Sequence, residues 1–143
     1  MITILKYLDR QLTKRERRTV IRYLRQYKNL EAIIYSKEMD LIPSRSSEFK
    51  ETPVQESNEF HSQAEEYTMK KEELDNYKAT KEKLDSVYNS IKPTQKLIWD
   101  EHFIIGRMDA DIYYGHDITK RTYYKEKNEL LLIVAECLGV GTK

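Results

Sequence analysis

The last third of the chain contains the start and stop signals of three helices in succession. Pro93 suits the first position of a helix, where a missing N–H has no cost, and Gly106 suits the position that ends it. Asp109 is expected to cap a second helix of about two turns, and Thr119 to cap a last helix that ends at Gly139. The short interval between the second and third helices is typical of a helix-turn-helix.

Helix formation is favoured over the whole chain. Only four of the 143 residues are glycine and three are proline. Apolar residues recur at intervals of three, four or seven, and nowhere show the alternation of a strand. We therefore predict an all-α fold. In it, a long helical hairpin or coiled-coil-like part, residues 1–91 with a loop at about 43–57, precedes a helix-turn-helix domain at residues 92–143.

The amino-terminal part contains two long helical patterns. Thr13 and Glu16 form a capping box, in which each side chain satisfies a backbone donor, at the start of a helix that Pro43 stops. A second helix is predicted over about Asn58–Ile91, with apolar positions seven apart that form the seam of a coiled coil. The seam positions are Phe60, Tyr67, Leu74, Lys81 and Tyr88, and also Tyr77, Leu84 and Ile91, with Lys81 as a polar interruption. The seam needs a partner, which either the first helix or a second subunit can supply.

Charge is segregated along the chain, although the formal net charge is only +1. Residues 1–28 contain nine basic and two acidic residues, whereas residues 48–85 contain six basic and eleven acidic residues. The basic run Lys14–Arg25 can bind DNA phosphates or an acidic partner. We favour a third interpretation, because the two segments have opposite charge. In it, the run is the solvated face of an amphipathic helix and pairs with the acids of the Glu65–Glu82 helix.

The last helix has a polar face suited to DNA. In a helix-turn-helix the first turns of this helix enter the major groove, where arginine pairs with guanine and asparagine with adenine, and lysine or threonine holds phosphates. A tyrosine there can stack on a sugar or touch a thymine methyl group. The candidate DNA-binding residues are Lys120, Arg121, Thr122, Tyr124, Lys125 and Asn128. The predicted core of this domain is Ile98, Phe103, Ile112, Ile118, Tyr123, Leu130 and Val134. The predicted partner is double-stranded DNA.

Little in the sequence indicates catalysis. The three histidines and the aspartates near residue 110 fit no metal-ligand spacing, and there is no glycine-rich phosphate loop. We therefore expect no enzyme activity, no catalytic residue, no metal and no cofactor. Cys137 is the sole cysteine, which fits a reducing cytoplasm, and its apolar surroundings predict a buried thiol. No apolar run approaches the roughly 20 residues that span a bilayer, so no membrane partner is expected.

Two short motifs in the last helix carry a family resemblance. They are Ile118-Thr119-Lys120-Arg121-Thr122-Tyr123 and Val134-Ala135-Glu136-Cys137-Leu138-Gly139. Together with the basic first helix and the long second helix, they resemble the ArpU/RinA-like late-transcription regulators of phages and prophages of Gram-positive bacteria. The carboxy-terminal part is also similar to region four of sigma factors. The resemblance implies an activator of packaging, structural or lysis genes that acts in the cytoplasm of the bacterial host and contacts its RNA polymerase.

The residues leave other functions open. A coiled-coil adaptor or phage assembly protein would use the heptad seam to bind another protein. A repressor would use the same DNA-reading helix as an activator, because only the position of the binding site decides between them. A homo-oligomer, most simply a dimer, is expected for a DNA-binding protein, since two reading helices can address half-sites about one helical turn apart.

Overall fold

A computed structural model describes residues 11–42 and 56–141, and the side chains of these residues apart from 56–62. The helices are α1 (Lys14–Leu41), α2 (Glu56–Ser90), α3 (Pro93–Ile98), α4 (Asp109–Gly115) and α5 (Lys120–Leu138). α3 continues directly as a π-helix, Trp99–Ile105. The described residues contain no strand, so the predicted all-α class is confirmed. Most of the predicted loop at about 43–57, and the side chain of Phe60, lie outside the description.

The predicted capping box starts α1. The N–H of Thr13 donates to the Glu16 carboxylate at 2.9 Å, and the N–H of Glu16 donates to the Thr13 hydroxyl at 3.1 Å. From there, apolar side chains recur on one face of α1 and are buried. These are Val20, Leu24, Leu30 and Ile34. Burial of this face stabilises a helix of such length more than intrinsic propensity does.

Contacts between residues divide the chain into two compact units. The first comprises the described residues up to Lys28 and those from Glu82 onward, and the second is Asn29–Lys81. α1 and α2 therefore each contribute to both units. This division differs from the predicted boundary between residues 91 and 92.

An aromatic cluster in the first unit explains the difference. Trp99 is fully buried, and its indole N–H donates to the carbonyl of Leu24 at 3.2 Å. The ring centroids of Tyr27 and Tyr88 lie 4.9 and 5.2 Å from that of Trp99. The hydroxyl of Tyr27 also donates to Asp85. These contacts join α1, the end of α2 and the π-helix into one core, so the carboxy-terminal helices do not pack as a separate domain.

In the second unit, segments of α1 and α2 contact each other. Lys37 forms an ion pair with Glu73, whereas Leu41 lines a small cleft with Tyr67, further back along α2. Leu74 is buried, in agreement with its predicted seam position. Tyr67 was also predicted at the seam but is 52% exposed. The heptad pattern therefore overestimates how far the buried seam extends toward the start of α2.

The helix that begins at Pro93 ends where the glycine signal predicts, but it is not regular. Its second half is the π-helix, which the apolar spacing did not indicate. Gly106 ends it with φ at +95°, in the left-handed region that glycine adopts without a steric penalty. The N–H of Gly106 donates to the carbonyl of Glu101 at 3.1 Å, which satisfies one of the orphan acceptors at the helix end.

Candidate functional site

The turn between α4 and α5 is stabilised by contacts of its own backbone. Asp117 has φ at +60°, a left-handed conformation that short polar residues tolerate. The N–H of Ile118 donates to the carbonyl of Tyr113 at 2.9 Å and closes the turn. The hydroxyl of Thr119 accepts from the N–H of Thr122 at 3.2 Å, so the predicted cap of α5 is confirmed. α5 also ends as predicted, at Gly139 with φ at +74°.

The first turns of α5 present most of the candidate DNA-binding residues to solvent. The exposed ones are Lys120, Arg121, Thr122, Lys125 and Asn128. Within the part of the chain that the structure describes, no acidic side chain pairs with Lys120, Arg121 or Lys125. Their charges are therefore available to an anionic partner. Phosphate neutralisation by such cations supplies most of the non-specific affinity of proteins for DNA.

Tyr124 is less available than the sequence predicts. It is half-buried, and its ring centroid lies 5.3 Å from that of Tyr123 and 6.3 Å from that of Tyr113. The ammonium of Lys127 lies 5.8 Å from the same ring. The packed tyrosines hold this ring in place, so only its exposed edge can touch a sugar or a methyl group.

The opposite face of α5 is packed into the first unit. Of the predicted core residues, Ile98, Phe103, Ile112, Tyr123, Leu130 and Val134 are buried, and Ile118 is half-buried. Leu131, Leu132 and Ala135 are also buried, so the second half of α5 is enclosed over a wider arc than the first. α5 is thus held along its length while its first turns stay open.

Asp109 was predicted to cap α4, and this prediction is wrong. The N-cap is Met108, and Asp109 is the first residue of the helix. Its carboxylate accepts from the hydroxyl of Tyr123 at 2.5 Å and from the ammonium of Lys127 at 3.1 Å. The physical reason is that Lys127 is only 6% exposed, and a buried ammonium must be paired.

The electrostatics of this pair are consistent with an ionised carboxylate. Partial burial by itself would raise the pKa of Asp109, but the hydrogen bond from Tyr123 and the charge of Lys127 hold the pKa below its usual value. Burial and the hydrogen bond to Asp109 raise the pKa of Tyr123, so its hydroxyl remains a donor.

Lys127 is not among the residues predicted from the sequence, although its spacing carries a signal. It lies four residues after Tyr123 and three before Leu130, which places it on the buried face of α5. His102 completes its environment, with Nε2 at 3.3 Å from the Lys127 ammonium and Nδ1 at 2.8 Å from the carbonyl of Arg107. Because an ammonium only donates and a carbonyl only accepts, these contacts assign the histidine proton to Nδ1. This network fixes α5 against the π-helix and the start of α4.

The basic start of α1 lies beside α5. Nη1 of Arg17 donates to the side-chain oxygen of Asn128 at 3.3 Å. The other cations of the basic run, Lys14, Arg15, Arg18, Arg22 and Arg25, are exposed and form no ion pair among the described residues. The pairing that we favoured from the sequence, with acids of residues 65–82, stays a prediction. Within the second unit, Glu73 of α2 contacts Lys37 of α1.

Other candidate features are absent from the described residues. These residues contain no group of three or more side chains placed to hold a metal ion. None of their helices has the length and apolar composition that crossing a membrane requires. Cys137 was predicted to be buried but is exposed, because it lies in the last turn of α5, where the packed face ends.

The chain is similar to protein Gp66 of Listeria phage A118. The two are 31% identical over 101 residues, an alignment that covers 68% of this chain and 69% of the phage protein. The chain belongs to the family of this phage protein. No family model matches it, and no solved structure matches it.

Proposed function

We propose that the protein is a sequence-specific DNA-binding transcriptional regulator that activates late genes of a phage or prophage. In this proposal α4 and α5 act as a helix-turn-helix, and α5 is the reading helix. The observation that supports it best is the set of exposed cations on the first turns of α5, Lys120, Arg121 and Lys125, which have no acidic partner among the described residues. A solvated surface of an ordinary helical domain would be expected to mix both signs of charge.

The chemistry of these residues suggests separate roles. Arg121 can give two parallel hydrogen bonds to guanine in the major groove, which is wide enough to admit a helix. Lys120, Thr122 and Lys125 can hold phosphates, which orients α5 but carries no sequence information. The buried Lys127–Asp109 pair keeps α5 in one orientation relative to α4.

The assignment to late genes follows from two separate likenesses. The chain shares a family with a phage protein. Its last helix also carries the two motifs that resemble the ArpU/RinA-like regulators and region four of sigma factors. The same resemblance motivates contact with host RNA polymerase in the bacterial cytoplasm. Whether the regulator activates or represses depends on where its site lies relative to the promoter.

The long helices are proposed to act as a spacer and a dimerisation element. As a helical hairpin, α1 and α2 would hold a second subunit, so that two α5 helices address half-sites about one helical turn or a multiple apart.

Selection of bound fragments from random duplex DNA by the purified protein tests the proposal. We expect a recurring motif, most simply as two half-sites. Arg121→Ala should weaken binding to the motif by roughly 1–3 kcal/mol and relax selectivity at one base pair, whereas Lys125→Ala should weaken all sequences alike. If no motif is enriched, or if both variants bind it as well as the parent, the assignment of α5 as the reader is wrong.

A second function, an adaptor or phage assembly protein, is favoured by one observation. Tyr35 and Met39 lie four residues apart on α1 and are 64% and 49% exposed, and Ile42, the residue after the end of α1, is 60% exposed. An exposed apolar stripe of this kind can bind another protein. Salt separates the two functions, because DNA binding weakens steeply with salt whereas binding through an apolar stripe changes little.

A further inference from the structure

We propose that the first turns of α1 are a second part of the DNA-binding surface and hold phosphates at the edge of the groove that α5 reads. This inference rests on the proposed function. It comes from the hydrogen bond between Arg17 and Asn128, which brings the basic start of α1 to the exposed face of α5. Both residues belong to the first compact unit.

The contact with Arg17 lies at the end of the exposed face of α5. The face that carries Arg121, Lys125 and Asn128 continues into Leu132 and Ala135, which are buried. Asn128 is therefore where the open part of the face ends. It lies seven residues, or about 10 Å, beyond Arg121. The major groove is about 12 Å wide, so a point about 10 Å from a contact with the base edges is close to the border of the groove. With Arg121 at the base edges, Arg17 is therefore expected near the phosphates that border the groove.

The neighbouring residues of α1 have the composition that phosphate binding requires. At 3.6 residues per turn, one stripe of α1 runs through the position of Arg17. Its members are Lys14, Arg17, Ile21, Arg25 and Lys28. Four of these five are cations, and none has an ion pair among the described residues.

Two further arginines of α1 provide an internal comparison. Arg15 and Arg22 lie about 140–160° around the helix from Arg17, on the side away from Asn128. They are exposed like Lys14 and have the same charge. A general attraction between a basic helix and DNA would involve both sides of α1 equally, whereas the proposed surface involves only the side of Arg17.

The same contact changes the expected role of Asn128. Its side-chain oxygen accepts from Arg17, so in this structure the amide is oriented toward α1. Asn128 is then a positioning residue that places Arg17. Asn128→Ala should weaken binding to all sequences alike and reduce its salt dependence, and relaxed selectivity at a single adenine would contradict this role.

The decisive experiment measures the salt dependence of binding to a labelled mixed-sequence duplex of about three helical turns, by fluorescence anisotropy. The full-length parent is compared with Lys14→Gln/Arg17→Gln and with the matched control Arg15→Gln/Arg22→Gln. Over about 50–200 mM salt, loss of two phosphate contacts should make the log–log slope shallower by about 1.8. The control should keep the slope of the parent. Thermal unfolding of all three proteins checks that the fold is intact.

Each outcome has a distinct meaning. A shallower slope for Lys14→Gln/Arg17→Gln alone supports the inference. Equal changes in both double variants would show a general charge effect and overturn it, and so would no change in either. If the parent itself does not bind the duplex, the proposed function fails together with the inference. Binding by the parent with an unaltered slope in the Lys14/Arg17 variant leaves the proposed function standing and removes only the inference.

Discussion

Removal of the negative charge of Asp109 should destabilise the protein strongly. Asp109→Asn leaves the ammonium of Lys127, a residue 6% exposed, without a counter-charge. Loss of one partner of a buried ion pair costs about 3–5 kcal/mol. The side chain of Asp109 is itself 22% exposed, so water can partly solvate the ammonium and we expect the lower end, about 3 kcal/mol. For a chain of this length that corresponds to a melting temperature lower by about 12 °C.

A double-mutant cycle isolates the pair from the packing around it. Asp109→Leu leaves the ammonium of Lys127 without a counter-charge, and Lys127→Met leaves the carboxylate of Asp109 without one, whereas the double variant removes both charges. The Tyr123 hydroxyl loses its acceptor both in Asp109→Leu and in the double variant, so this loss cancels in the cycle. The double variant should therefore be more stable than the sum of the two single effects predicts, by about 2 kcal/mol. Tyr123→Phe is the matched control, because it removes one hydrogen bond to the same carboxylate and leaves the charges in place. Urea unfolding followed by circular dichroism gives each free energy of unfolding.

Two results would refute this reasoning. If Asp109→Asn lowered the free energy of unfolding by less than about 1 kcal/mol, the ammonium of Lys127 would have another way to be solvated. If the two single substitutions were additive, the two side chains would not be coupled in solution.

Three further predictions concern the same elements. Thr119→Ala should destabilise the protein by about 1 kcal/mol because it removes the cap of α5, whereas Thr119→Ser should be nearly neutral, as urea unfolding can show. Gly106→Ala should destabilise the protein by about 1 kcal/mol, because residue 106 has a positive φ. Gly115→Ala, at a helical position with no nearby atom, should not destabilise it. Equal effects of the two substitutions would contradict the strain at residue 106. Because the folded pKa of Asp109 is lowered, its stabilisation should be complete above its unfolded pKa of about 4 and be lost as pH falls below that value. The stability difference between the parent and Asp109→Asn should accordingly be constant from about pH 5 to 8 and shrink in acid, and a difference that grows in acid would refute the sign.

Local signals predicted the ends of the helices well, because the residues that satisfy the terminal backbone groups are close in sequence. Thr13 and Glu16 form their capping box three residues apart, and Thr119 caps α5 through Thr122. Burial of one face of α5 was also predicted correctly from the spacing of its apolar residues, because residues three or four apart lie on the same side of a helix.

Contacts between distant residues could not be predicted in this way. Aspartate is a residue type that often caps helices, so the sequence predicts this role for Asp109. Its carboxylate binds the buried ammonium of Lys127 instead, and Lys127 lies 18 positions later in the chain. The contact between Arg17 and Asn128 spans 111 positions, so no local pattern indicates it. The contact between α1 and the π-helix is distant in sequence for the same reason, because Trp99 packs on a tyrosine of α1 far back in the chain.

The distribution of paired and unpaired charge explains how a chain of net charge +1 can present a basic surface. Three of the acids near α5 have local partners: Glu126 and Glu129 lie 3.5 and 3.4 Å from Lys92, and Asp109 is paired with Lys127. Asp111 and Asp117 are exposed and form no ion pair among the described residues. A close ion pair acts as a dipole at longer range, and its field is small beyond the roughly 10 Å over which salt screens charges at 0.1 M. The cations on the first turns of α5 and on the Arg17 side of α1 have no such partner among the described residues, so their fields add. The sign of the potential over this face is therefore set by which charges are paired in the fold.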